Sequence, residues 1–407
     1  MSACVMLVAA EASGDALGAG LMAALRKTLG EDVRFVGAGG PAMIGEGMSS
    51  AFDISELSVV GLVDGLLAYR RAARRARQLA DLAARERPDI AVLIDSWGFS
   101  YLLARRLRRR LPALPLVKYV APQAWATRPG RAVALARSFD HLLSIIAFEG
   151  SLFERAGVKV VFVGHPSLTG PPPEADPARL RARIGARPDD QVLLVLPGSR
   201  PSEIRRLSAP FGEAVRILTE THPTLRTVVL AAPMVAAEVA AEVARWPSPA
   251  LVLSDPGMKA DAMGAATVAL ACSGTVTVEL AAAGCPMVVA YSLGPITYAI
   301  VRRIIRVRFG ALFNIAADAA VAPELIQADC TGPRLAAELA RRLDDPQLGK
   351  RQVEAQSAAL DKLGRGGPPT ADRAADAIVG ILRGVRAQSA TTMASPVQTR
   401  PPSVIET

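Results

Sequence analysis

The sequence predicts an α/β protein of two halves, each a parallel sheet covered by helices on both faces, with a cleft between them. Three observations predict it. Short β-branched runs alternate with helical stretches from the start of the chain, a polar proline-rich segment interrupts the series at residues 170–177, and the alternation then resumes.

In the first half the strand-like runs fall at residues 5–10, 33–36, 90–94, 116–120, 141–145 and 160–163. A helix is expected over 16–29, and an arginine-rich helix ends near Arg87. The interruption reads Gly170-Pro171-Pro172-Pro173-Glu174-Ala175-Asp176-Pro177, the composition of an interdomain linker, expected over 171–178. The second series has strand-like runs at 192–196, 227–231, 251–253, 268–271 and 287–291. Residues 1–170 and 179–371 are therefore expected as two Rossmann-like domains. A further helix is expected over 372–387, and 388–407, rich in Ser, Thr and Pro, as a disordered tail. Two such sheets joined by a hinge place a cleft between their carboxyl edges, where ligands bind.

Composition narrows the function classes. The chain has 407 residues, 47 basic and 38 acidic, a net charge of +9, and is 51% apolar and 21% charged, which excludes disordered, collagenous and disulfide-scaffold proteins. Cys4, Cys272, Cys285 and Cys330 form no CxxC pair, and His141, His165 and His222 show no HxxxH spacing. A reduced cytosolic protein with no metal and no cofactor is the expectation. Residues 1–10 are apolar but lack a cationic leader and run into Glu11 and Asp15, so they read as a buried strand and not a secretion signal. Residues 280–301 carry no charge, yet Gly284, Pro286, Gly294 and Pro295 break them into a helix end, a strand and a turn.

The basic excess is almost all arginine, clustered at Arg70, Arg71, Arg74, Arg75 and Arg77, at Arg105, Arg106, Arg108, Arg109 and Arg110, and at Arg302, Arg303, Arg306 and Arg308. Aromatic residues make up 4% and are not interleaved with these clusters, which argues against nucleic acid. A phosphate-bearing or anionic-lipid partner fits better. Apolar residues 59–69 run directly into the first cluster, so Val63, Leu66, Leu67, Arg70, Arg71 and Arg74 are expected to touch an anionic bilayer. A core helix with solvated arginines is the plain alternative.

Four motifs carry chemistry. Leu196-Pro197-Gly198-Ser199-Arg200 follows a strand and precedes a helix: Gly198 lets the backbone turn its amides toward an anion, and Arg200 can fork onto a phosphate. Ser273-Gly274-Thr275 opens another helix with a second set of amides, and Glu279, just over one turn on, can accept both hydroxyls of a ribose. Glu11-Ala12-Ser13-Gly14-Asp15 follows the first strand, where Glu11, Ser13 and Asp15 suit hydroxyl recognition; capping of the next helix is the plain alternative. Asp95 ends the third strand and is placed to act as a base on an attacking hydroxyl, with a helix cap as its alternative. Neither GxGxxG after a strand nor GxxxxGK[ST] nor DxD occurs, so nicotinamide, ATP and a metal-bridged diphosphate lose support.

At these residues the chain resembles the lipid-A-disaccharide synthase family, inverting glycosyltransferases of the GT-B type. The motifs are Glu11-Ala12-Ser13-Gly14-Asp15, Gly37-Ala38-Gly39-Gly40-Pro41-Ala42-Met43, Ile94-Asp95, Tyr119-Val120-Ala121-Pro122 with Trp125-Ala126, Val163-Gly164-His165-Pro166, Leu196 to Arg200, Ser273-Gly274-Thr275 with Glu279, and Asn314. Their order and spacing span nearly the whole chain.

The resemblance implies transfer of a sugar from UDP-2,3-diacylglucosamine to the 6-hydroxyl of 2,3-diacylglucosamine 1-phosphate (lipid X), giving a β-1,6 disaccharide and UDP without a metal. It implies Asp95, Arg200, Glu11 and Asn314 in the catalytic cleft, the Gly198–Arg200 and Ser273–Thr275 turns with Glu279 on the UDP-sugar, and Ser13, Asp15, Gln123 and Trp125 on the acceptor side. It also implies a peripheral enzyme on the cytoplasmic face of the bacterial inner membrane, and a C-terminal helix that packs back or crosses to a second subunit in a homodimer. The chain departs from the family at Ala10, at Ser96-Trp97-Gly98-Phe99-Ser100 after Asp95, and at Thr127 in place of a second tryptophan. A UDP-sugar transferase with another lipid acceptor, a UDP-sugar epimerase and a non-catalytic UDP-sugar-binding paralogue are the alternatives.

Overall fold

The computed structural model describes residues 3–58, 65–128, 130–305 and 307–394. The first sheet contains β1 (Cys4–Val8), β2 (Arg34–Ala38), β3 (Ile90–Ile94), β4 (Leu116–Tyr119), β5 (His141–Ser144) and β6 (Lys159–Phe162) in the order β2-β1-β3-β4-β5-β6. The second contains β7 (Val192–Leu196), β8 (Arg226–Leu230), β9 (Leu251–Leu253), β10 (Val268–Cys272), β11 (Met287–Tyr291) and β12 (Glu324–Ile326) in the order β12-β11-β10-β7-β8-β9. Every pairing is parallel. Central strands β1, β3, β7 and β10 are buried at every position, because helices cover both faces and leave no side for polar residues. The edge strand β6, Lys-Val-Val-Phe, is only partly covered.

Both sheets reverse their strand order once. The reversal lies between β1 and β3 in the first sheet and between β10 and β7 in the second. At such a point the loops leaving neighbouring strands part to opposite faces and open a crevice at the carboxyl edge. Glu11 and Asp95 follow β1 and β3, and Gly198 and Ser273 follow β7 and β10, so the four motifs singled out in the sequence occupy both crevices.

Two crossing segments tie the halves together. Gly366 N–H donates to Leu168 O (2.7 Å), Gly170 N–H to Gly367 O (3.2 Å), and Thr370 Oγ1 to Gly164 O (3.0 Å). Ile146 and Leu168, from the first half, join the core of the second half, with Trp125 packed against it. The helix Thr370–Ala394 returns to the first half, where Ala374, Ala375, Ile378, Val379 and Leu382 complete the core beneath β1 and the helix Ala12–Leu29.

Several element boundaries differ from expectation by a few residues, among them the first helix, which begins at Ala12 and not at residue 16, and two differences change how a segment is read. The helix Pro177–Arg183 begins inside the segment read as a linker, because Asp176 accepts hydrogen bonds from Ala178 and Arg179 N–H and Pro177 suits a first helical turn. The last helix continues to Ala394, past the tail boundary at 388, since nothing before Pro396 breaks it; residues 395–407 lie outside the described residues. Residues 280–301 divide as expected into the end of the helix Thr275–Ala282, β11 and the start of the helix Pro295–Ile304. Among the described residues no helix is long and apolar enough to cross a membrane.

Candidate active site

On the first sheet, Asp95 leaves β3 in the left-handed region with φ +49°, followed by Ser96 at +35°. This double turn lifts the carboxylate off the strand axis toward the cleft. Asp95 Oδ2 accepts from Ser13 Oγ (2.8 Å) and Oδ1 from Ser96 N–H (2.8 Å). The helix Trp97–Arg110 has Ser96 at its N-cap with no side-chain cap, so Asp95 is not the helix cap. The two loops pack closely at Gly14: a methyl group there would meet Asp95 Cβ at 3.5 Å and Ala9 Cβ at 3.4 Å, ordinary van der Waals contact. Glu11 lies half-buried beside Asp95, and burial together with the Asp95 charge pushes its carboxyl up, while Arg200 and Lys118 pull it back. Arg200 belongs to the opposite sheet, so the two crevices face each other.

On the second sheet, Gly198 turns with φ +113° between β7 and the helix Pro201–Thr221. Ser199 N–H donates to Glu203 Oε2 (3.3 Å), and Arg200 Nη1 to Glu203 Oε1 (3.1 Å). Arg200 is otherwise largely exposed and free to turn toward an anion. Two crossover turns away, Ser273 and the exposed Gly274 and Thr275 open the helix Thr275–Ala282, and Glu279 Oε2 lies 2.7 Å from Lys259 Nζ. The N-termini of both helices point their positive dipole ends into one crevice, a site suited to a diphosphate.

Several expected site residues have other roles. Asp15 is 4% exposed, and its oxygens accept from the backbone of Gly40 (2.7 Å), Ala42 (2.9 Å) and Met43 (3.1 Å). It caps the short helix Pro41–Gly45, because three peptide donors outcompete a solvent-facing role. Asn314 is fully buried: Nδ2 donates to Ala322 O (2.9 Å) and Glu324 Oε1 (2.7 Å), and Oδ1 accepts from Ala322 N–H (3.0 Å). Its amide is fully engaged within the fold. Glu324 in turn accepts from Gly310 N–H (2.6 Å) and Ala311 N–H (2.9 Å), and a methyl group on Gly310 would lie 3.5 Å from Ser273 Oγ. Asn314 thus shapes the wall beside Ser273.

Gln123 is exposed, whereas Trp125 lies in the seam between the halves, its indole N–H donating to Glu149 Oε2 (3.1 Å) and its ring edge-on to Phe148. Arg70 and Arg74 are exposed on the helix Gly65–Glu86, and Arg71 donates to Glu56 O. Val63, and the side chains of Leu66 and Leu67, lie outside the described residues. All four cysteines are buried free thiols.

Sequence reasoning missed Glu203, Lys259, Lys118, Glu324 and Glu149. Glu203 had a signal, its spacing three residues after Arg200 at a helix start, the reach-back geometry of a capping box. Lys118 had one too, a single cation in an otherwise apolar strand. Lys259 and Glu324 had none, being partnered across 20 and 10 residues by tertiary packing.

The family model for lipid-A-disaccharide synthetase matches residues 5–378. The chain is 42% identical over 378 residues to the lipid-A-disaccharide synthase of Rhodospirillum centenum, covering 93% of this chain and 94% of that one. It is 43% identical over 381 residues to that of Paramagnetospirillum magneticum, covering 93% and 97%. Among solved structures it resembles the S. aureus MnaA-UDP co-structure (TM-score 0.65, 12% identity, 94% of this chain and 97% of that one) and the glycotransferase of kitacinnamycin (TM-score 0.58, 19% identity, 94% and 100%). At these identities the likeness to solved structures shows the fold, of GT-B type. The family match across nearly the whole length, with two relatives above 40% identity, places the function: the chain belongs to the lipid-A-disaccharide synthases, glycosyltransferases of lipid A biosynthesis.

Proposed function

We propose that the cleft joins 2,3-diacylglucosamine, carried as its UDP ester, to the 6-hydroxyl of 2,3-diacylglucosamine 1-phosphate with inversion at the anomeric carbon. The observation that carries this is the placement of Glu11 within electrostatic reach of Asp95, on its own sheet, and Arg200, on the other. A carboxylate pair and a phosphate-binding loop thereby flank one space.

In the step, the acceptor oxygen attacks the anomeric carbon, its proton passes to the Asp95 carboxylate, and the bond to the diphosphate breaks to release UDP. Ser13 orients Asp95 through its 2.8 Å hydrogen bond. Charge developing on the leaving diphosphate meets the N-terminal ends of the helices Pro201–Thr221 and Thr275–Ala282 and the Arg200 guanidinium, without a divalent ion. Glu279, held by Lys259, receives the ribose hydroxyls. Glu11, half-buried beside Asp95, serves sugar hydroxyls as an acceptor.

The face carrying Arg70, Arg74, Arg77, Arg106 and Arg109 rests on anionic lipid at the cytoplasmic side of the inner membrane, bringing the acylated substrates to the cleft. Raised salt should release the protein from anionic vesicles. The test of the reaction is direct: purified protein with both acylated substrates in excess chelator should yield the disaccharide and UDP. Loss of turnover in chelator, with recovery on adding magnesium, would overturn the metal-free step. UDP release without acceptor would point to the epimerase reading.

A further inference from the structure

Beneath Asp95 lies a cation that the reaction above does not use. Lys118 sits on β4 opposite Leu93 of β3 and is 1% exposed. Its ammonium donates to Leu93 O (3.2 Å), Tyr119 O (3.3 Å), Ser100 Oγ (3.3 Å) and the carbonyl of Asp95. Ser100 Oγ also donates to Asp95 O (2.8 Å), and Asp95 N–H donates to Tyr119 O (2.9 Å). The main chain of Asp95 is therefore gripped at both its N–H and its C=O, and Lys118 touches both grips.

That grip has something to hold. Two successive non-glycine residues, Asp95 and Ser96, stand in the left-handed region, a strained conformation that persists only where the surroundings over-determine it. A buried ammonium is itself expensive unless dipoles and counter-charges surround it. Here the dipoles are the three carbonyls, and the charges facing it are Asp95 at the end of β3 and Glu11 at the start of the helix Ala12–Leu29. Burial lowers the lysine to about 7, and the two carboxylates oppose that fall.

We propose that Lys118 is a positioning residue for the transfer reaction: its ammonium gathers the carbonyls of Leu93, Asp95 and Tyr119 and so holds the left-handed turn that presents the Asp95 carboxylate to the acceptor. The proposal rests on the reading of Asp95 as the acceptor-activating base. It acts through geometry and charge at the cleft floor and leaves the donor site, on the other sheet, alone.

The test is a cycle of Lys118→Met, Asp95→Asn and the double variant in the full chain. Readouts are kcat, KM for each substrate, the pH profile of kcat and the Kd for UDP. Lys118→Met should lower kcat about 10- to 100-fold, leave acceptor KM within about threefold and UDP Kd within about twofold, and add less than about twofold in the Asp95→Asn background. Its acid limb should move to higher pH, because the ammonium that opposes protonation of Glu11 is then gone.

Wild-type kcat in Lys118→Met, or losses that multiply with Asp95→Asn, would overturn the proposal while leaving an impaired Asp95→Asn as support for the base. Full turnover in Asp95→Asn would instead remove the base, and this proposal with it. Should Lys118→Met fail to fold, Ser100→Ala removes one hydrogen bond at the same carbonyl and should lower kcat about three- to tenfold with UDP Kd unchanged; an unchanged kcat there also overturns the proposal.

Discussion

A methyl group placed on Gly198 would lie 2.8 Å from Glu203 Oε2, the carboxylate that holds Ser199 and Arg200 in their loop. The glycine also stands at φ +113°, where side chains are strained. Gly198→Ala should therefore open the loop and weaken donor binding, raising KM for the UDP-sugar at least about tenfold through roughly 1–2 kcal/mol of strain plus lost amide geometry. Acceptor KM should stay near wild type. Steady-state kinetics with each substrate varied in turn separates the two.

Asn314 should behave as a structural residue. Asn314→Ala strands the buried N–H and C=O of Ala322 and frees Glu324 from one of its partners. A loss of about 2–4 kcal/mol in unfolding free energy is expected, with activity falling as the Gly310–Ala311 turn loosens beside Ser273. Thermal unfolding of the variant, compared with its activity below the transition, checks this; full stability with lost turnover would return Asn314 to direct contact with substrate.

Much of this architecture was legible in the chain because its signals are local. Strands β3, β7, β9 and β11 match the residue ranges expected from apolar runs; for β3 and β7 the reason is that helices cover both faces and favour an unbroken apolar run. Strand β12 escaped notice because it is three residues long, begins with Glu324 and sits at a sheet edge. The site divides in the same way. Gly198, Asp95 and Ser273 announce themselves by following strands, whereas the inward turn of Asp15 depends on amides of Gly40, Ala42 and Met43 some 25 to 28 residues away. A short motif shows that a carboxylate stands at a sheet edge, and only packing decides which way it points.

Glu149 should make stability depend on pH. It is 2% exposed and burial pushes it from 4.5 to about 7, while Ser144 Oγ (2.8 Å) and Trp125 Nε1 (3.1 Å) offset part of the rise. The folded state therefore keeps this proton up to about pH 7, while the unfolded chain releases it near 4.5. Stability from this group is full below pH 4.5, falls as pH rises to 7, and is constantly lower above. Glu149→Gln, which keeps both hydrogen-bond partners, should flatten that dependence and stabilise the fold at pH 8 by up to about 3 kcal/mol. Denaturant midpoints of both proteins at pH 5 and pH 8 give the answer, and parallel curves would contradict it.

Glu279 should matter to the donor alone. Its carboxylate, in the middle of the helix Thr275–Ala282, is held 2.7 Å from Lys259 Nζ. Glu279→Ala removes a charge-assisted acceptor for the ribose and should weaken UDP binding about 10- to 100-fold, a loss of roughly 1.5–3 kcal/mol. Isothermal titration with UDP, free of any acceptor, measures it directly.

Asp95→Asn is the decisive variant, since it keeps the size of the side chain while removing its charge and its ability to take a proton. Measured together on one preparation, disaccharide formation should fall by at least about 100-fold while the Kd for UDP stays within about twofold of wild type. Turnover within about threefold of wild type in that variant would contradict the assignment of Asp95 as the base.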